Sequence, residues 1–184
     1  LAALSIRSDL AGVTSIVRAL GLKEVCYDRL LDMFHSRSVD LDKLAKLWTN
    51  SVLWALDSFL LRVDGRIVLL ADGIKVAKSG KKMPGVKKLH QESESNSKPE
   101  YIFGHSCQSI AVAVKAGVST LALPLACRIH EGVVFSNRDC RTLLDKMVLL
   151  AFSLGIDCPS IMVADAYYTS AKVIKPLLKK GDHL

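Results

Sequence analysis

The chain has 184 residues, of which 50% are hydrophobic and 6% aromatic. That composition excludes a disordered or collagen-like chain, and the length is enough for one domain with a real core. Lysine and arginine number 25 against 18 acids, a net charge of +7 that favours polyanionic partners, nucleic acid first.

The five cysteines (Cys26, Cys107, Cys127, Cys140 and Cys158) are odd in number and contain no C-x-x-C pair. They argue against a disulfide framework or a zinc knuckle and suit a reducing, cytoplasmic setting. Cys127 and His130 stand three apart, but no second ligand pair accompanies them. No apolar run reaches membrane-spanning length and no signal peptide is visible, so no membrane association is expected.

In chain order, residues 1–62 read as a helical N-terminal region. "SDLAGVTSIVRALGL" puts Leu10, Val13, Ile16, Val17 and Leu20 on one face, with Ser8 or Asp9 as N-cap and Gly21 as the stop. "KEVCYDRLLDMF" follows with Val25, Leu30, Leu31 and Phe34. A third helix is capped by Asp40 and carries Leu41, Leu44, Leu47, Trp48, Val52, Trp54, Leu56 and Phe59 as its expected inner stripe.

After the turn signal "VDG" the period changes. Residues 66–71 form an apolar strand, and 74–100 read as a lysine-rich loop or ragged hairpin. "SIAVAVKAG" and "STLALPLACRIH" are two strands joined near Gly117. "CRTLLDKMVLLAFSLG" is a helix with Leu143, Leu144, Met147, Val148 and Phe152 inward and Gly155 at its end. Residues 161–164 are a second buried strand, and a helix capped by Thr169 or Ser170 follows. Pro176 and Gly181 suggest that this helix is closing with another element to come, so the chain reads as a fragment.

This order predicts a mixed α/β sheet in which the strand leading to Asp165 runs parallel to its neighbour. "RIVLLADG" and "PSIMVADAYY" each end an apolar strand on an acid, Asp72 and Asp165, and function collects at such strand ends. Two carboxylates brought together must share a proton or bind a cation. Without a histidine or cysteine cluster, Mg²⁺ or Mn²⁺ suits them better than zinc. Lys75, Lys78, Lys81, Lys82, Lys87 and Lys88 follow, suited to backbone phosphates. Each acid alone has an ordinary alternative as a helix or turn cap, and the lysines one as a solvated loop. There is no phosphate-cradling glycine loop.

"ADGIKVAKSGKKMPGVKKLHQESESNSKPEYIFGHSCQ", "PLACRIHEGVVFSNRD", "TLLDKMVLL" and "VADAYY" together resemble bacterial insertion-sequence transposases of the DDE superfamily. "DLAGVTSIVRALGL" and "YDRLLDMFHS" resemble the helical region that precedes their catalytic domain. The resemblance implies an RNase H-like catalytic core over residues 63–184, incomplete, with Asp72 and Asp165 as its first two catalytic, metal-binding acids. The third, a glutamate on a later helix, is expected beyond Leu184, and Glu131 lies on the wrong element to replace it. The implied activity is metal-dependent cleavage at transposon ends in double-stranded DNA. The freed 3′-OH then attacks the opposite strand or target DNA, within a homodimer that pairs two ends. A nucleoid-associated place in a bacterial cytoplasm goes with it. His90, Tyr101 and His105 lie in motif-like stretches, His105 as a candidate DNA contact. The alternative is a truncated or domesticated remnant that binds DNA without catalysis. An unrelated phosphatase-like α/β enzyme is disfavoured by the missing glycine loop.

Overall fold

The computed structural model describes residues 12–36, 38–80, 85–90, 99–130 and 141–183. These fall into two compact units, one running through Leu44 and one from Ala45 onward. The boundary expected at 62–63, where the periodicity changes, lies inside the second unit. The reason is packing: Val52, Leu53 and Leu56 join the same core as the sheet.

In the first unit, α1 (Val13–Ala19) and α2 (Cys26–His35) are short. Gly21 ends α1 at φ 59°, a left-handed conformation that lets the Leu22 N–H reach the Val17 carbonyl at 2.9 Å. The expected caps Ser8 and Asp9 lie outside the described residues. No residue of α2 is buried, so Leu30, Leu31 and Phe34 do not form the inner face expected of them.

Helix α3 (Leu41–Ala55) starts on Asp40, whose Oδ1 accepts the N–H groups of Asp42 and Lys43, both at 3.0 Å. Its inner strip is narrower than the apolar stripe of the sequence. Thr49 and Val52 are buried, Leu53 and Leu56 pack partly, and these four follow the i, i+3, i+4, i+7 pattern of one helix face. Leu41, Leu44, Leu47 and Phe59 are exposed, and Trp54 is 84% exposed. Trp48 spans the two regimes: its ring is partly exposed while the indole N–H donates to the Pro124 carbonyl at 2.9 Å.

The "VDG" turn closes a two-residue hairpin between β1 (Arg62–Val63) and β2 (Arg66–Ala77). Asp64 and Gly65 both have positive φ, 48° and 75°, as the twist of a tight hairpin requires. Four more strands complete the sheet: β3 (Lys87–His90), β4 (Tyr101–Ala116), β5 (Ser119–His130) and β6 (Ser160–Ala164). β2 lies between antiparallel β4 and parallel β6, and both β5 and β3 pair antiparallel with β4. Gly117, at φ 61°, turns β4 into β5. Pro124, which has no N–H to give, sits where that ladder shifts register.

Helices α4 (Leu143–Ser153) and α5 (Ala171–Lys180) accompany β6. α4 opens with a capping box, Thr142 and Asp145 each bonding the other's backbone N–H. It buries Met147, Val148, Leu150 and Ala151, whereas Phe152, expected inside, is exposed because the buried face is centred on Met147 and Ala151. Ser170 caps α5, and Pro176 lies within the helix, which runs on to Lys180 before Gly181 ends it.

The chain is therefore a mixed α/β sheet with flanking helices, and one core joins Ile67, Leu69 and Ala71 to Ile110, Val112, Met147, Leu154, Met162, Val173 and Leu177. Two strands are longer than the sequence suggests. β2 continues to Ala77, so Asp72 lies within it and not at its end, and β4 begins at Tyr101, well before Ser109. These polar extensions pair with one another, Asp72–Ala77 against Ser109–Gly104. Backbone pairing continues where the apolar pattern stops. No helix among the described residues is long and apolar enough to cross a membrane.

Candidate functional site

β2 and β6 run in parallel register from Ile67–Ser160 to Ala71–Ala164. The next residue on each strand is an aspartate. Neighbouring strands lie roughly 4.8 Å apart, so the ladder alone brings the backbones of Asp72 and Asp165 close together. β6 ends there, while β2 goes on paired with β4 alone. Both aspartates are exposed and line one cleft of about 130 Å³, with Gly73, Lys75, Gln108, Tyr167 and Tyr168 among its walls.

Each carboxylate has a local duty. Asp72 Oδ1 accepts the N–H of Gly73 at 2.7 Å. Asp165 caps a single 3₁₀ turn, Ala166–Tyr168, its Oδ1 accepting the Tyr167 N–H. The capping role is thus real, but it occupies one oxygen of each group. Among the described residues, no lysine, arginine or histidine forms an ion pair with either acid.

The oxygen-rich donor set bears on a metal. The two carboxylates face a cleft that also holds Ser106 and the phenols of Tyr167 and Tyr168, with Cys107 the one thiol. Such a set fits a hard cation that keeps several waters, Mg²⁺ or Mn²⁺, through Asp72 and Asp165. Among the described residues no third His, Cys, Asp or Glu joins them.

Tyr168 and Gln108, which the sequence pattern did not single out, form the floor of the cleft. Gln108 is 1% exposed and its Nε2 donates to the Leu143 carbonyl and to the Tyr168 hydroxyl, both at 2.9 Å. Gln108 stands opposite Gly73 in the β2–β4 ladder, and a Cβ on Gly73 would lie 2.8 Å from the Tyr168 hydroxyl. Burial pushes the Tyr168 phenol above its ordinary pKa; the Gln108 hydrogen bond opposes this, and the charges of Asp72 and Asp165 add to it. A sequence signal did exist. Tyr168 belongs to "VADAYY" and Gln108 to "GHSCQ", but neither spacing nor polarity reveals that they meet.

The lysines do not make one surface. Lys75 lies on β2 in the cleft, its ammonium donating to the His90 carbonyl at 2.8 Å. Lys87 shares the sheet face of Lys75, since Lys87 and Ala77 both pair with Gly104. Burial holds its ammonium below the ordinary lysine value, and the charge of Lys146 pushes the same way. Lys88 is on the opposite face, over the Tyr101 ring at 4.2 Å from its centroid. His90 meets the same ring edge-on. Lys78 is exposed just past β2, and Lys81, Lys82 and Glu131 lie outside the described residues. His105 is 8% exposed, beside Gly85, and so is not part of an exposed DNA-contact surface.

Against known proteins, the chain matches no family model, no curated protein and no solved structure.

Proposed function

We propose that this chain carries the first two acids of an RNase H-like catalytic domain of the DDE transposase kind, acting on phosphodiesters of double-stranded DNA. The observation that carries the reading is the in-register ending of β2 pairing at Ala71–Ala164, which sets Asp72 and Asp165 side by side at one cleft. The sequence resemblance supplies the reaction class, strand cleavage at transposon ends and strand transfer, in a homodimer at the bacterial nucleoid.

In this reading Asp72 and Asp165 hold the divalent cation with the oxygens that their backbone contacts leave uncommitted. Bound Mg²⁺ or Mn²⁺ supplies charge neutralisation at a phosphate and makes water more acidic. Lys75, in the same cleft, offers a cation to the DNA backbone, and Lys87 extends that face. The buried Gln108–Tyr168 pair forms the cleft floor and limits water beneath the acids.

The test is Mn²⁺ binding to the chain, read by electron paramagnetic resonance, alongside retention of duplex DNA on a gel. Asp72→Asn and Asp165→Asn are each expected to abolish Mn²⁺ binding and spare DNA retention. Loss of DNA retention with both variants, or Mn²⁺ binding indifferent to both, overturns the proposal.

A second reading is a non-catalytic DNA-binding remnant. The convergence of two acids and no third among the described residues favours it. It predicts duplex binding that is steeply salt-dependent and the same with or without Mg²⁺.

A further inference from the structure

The backbone ladder that aligns the two acids stops one residue short of them, at Ala71–Ala164. Beyond it, no β2–β6 hydrogen bond sets the position of Asp165 relative to Asp72. We propose that the Tyr168 hydroxyl, held by Gln108 and seated on Gly73, is the clamp that fixes the spacing of these two carboxylates. Tyr168 is then a positioning residue. This rests on reading Asp72 and Asp165 as a cation site.

Three observations carry it. Asp165 caps the turn whose last residue is Tyr168, so the carboxylate and the phenol move as one short rigid piece. The Tyr168 side chain crosses to β2 and lies so near Gly73 that any side chain there would displace it, at 2.8 Å from the Cβ position. Gly73 is the residue next to Asp72, and its φ is not left-handed, so space and not backbone freedom calls for glycine. The hydroxyl is in turn held by Gln108, on the strand that pairs with Gly73.

The orientation of the Gln108 amide follows from its partner. The Leu143 carbonyl can only accept, so the amide nitrogen faces it, and the second N–H goes to the Tyr168 oxygen. This leaves the Gln108 Oε1 buried with no partner among the described residues. A buried carbonyl left unsatisfied costs free energy that a leucine of similar size would not. A pure packing role does not call for glutamine here; a role that needs its two donors does. The path Asp165, turn, Tyr168, Gln108, β4, Gly73, Asp72 closes a ring of contacts across the gap the ladder leaves open.

Tyr168→Phe keeps the ring and removes the hydroxyl; Gly73→Ala keeps the hydroxyl and removes its seat. Both are measured in the whole chain by amide hydrogen exchange over 165–168 and by Mn²⁺ titration. Each variant is expected to speed exchange at the Tyr167 amide and weaken Mn²⁺ binding by about tenfold, the scale typical of groups that orient metal ligands. Combining Tyr168→Phe with Gln108→Leu is expected to lose no more Mn²⁺ affinity than Tyr168→Phe alone. Unchanged exchange and unchanged affinity in Tyr168→Phe, with the protein folded, overturns the clamp. If the wild-type chain shows no Asp72-dependent Mn²⁺ binding, the cation reading fails instead. Exchange at Tyr167 then still decides whether the hydroxyl pins the turn.

Discussion

Ala71 and Ala164 are the last paired residues of two parallel strands, and each hands the chain to an aspartate. The two acids that follow diverge in backbone fate. Asp72 continues a strand, while Asp165 leaves one and caps a turn. Their contributions to stability and to ligand binding can therefore be separated by substitution.

Asp165→Asn preserves a side-chain oxygen for the Tyr167 N–H, and asparagine is as good a cap as aspartate. Asp165→Ala removes the cap and is expected to cost about 1 kcal/mol in urea unfolding. The asparagine variant is expected to unfold like wild type while losing Mn²⁺ binding. Equal destabilisation by both would mean that charge, and not the cap, holds the turn.

The split of the lysines between sheet faces predicts unequal effects on DNA. Lys75→Ala and Lys87→Ala, on the cleft face, should each reduce the slope of log affinity against log salt by about one. Lys88→Ala, on the other face with its ammonium over Tyr101, should leave that slope unchanged. Fluorescence anisotropy with a labelled duplex over a salt series measures all three. Equal effects would show that DNA contacts both faces.

Thr49 offers a test of the core away from the site. It is fully buried in α3 and its hydroxyl has no hydrogen-bond partner among the described residues. Thr49→Val keeps the shape and removes the desolvated hydroxyl, so stability should rise by about 1 kcal/mol. A fall in the urea midpoint would reveal a partner for the hydroxyl that this argument lacks.

Much of the fold was legible in local chemistry. The Asp64–Gly65 turn, the Gly117 hairpin, the Asp40 and Ser170 caps and the parallel entry of β6 all follow from residues with strong short-range preferences. What failed was any inference that equated an apolar pattern with the full length of an element. Residues 72–77 and 101–108 carry glycine, lysine and histidine, yet they are strand because each supplies the other's backbone partners. The inner stripe of α3 failed in the opposite sense: its apolar residues outnumber the positions that reach the core. At the site, the two acids stood out because they interrupt hydrophobic runs. Gln108 and Tyr168 did not, because their meeting depends on a hydrogen bond between residues sixty apart in sequence.

The overhang of β2 beyond β6 has a cost in self-association. From Asp72 to Ala77 the strand pairs with β4 on one side, and no described strand covers the other. Such a margin invites a strand from another molecule, and two apolar side chains there, Ile74 and Val76, are exposed. The charges of Asp72, Lys75 and Lys78 interrupt that margin and make stacking of identical copies unfavourable. The same charges that suit a cleft for phosphate and cation thus also guard the strand against fibre-like growth.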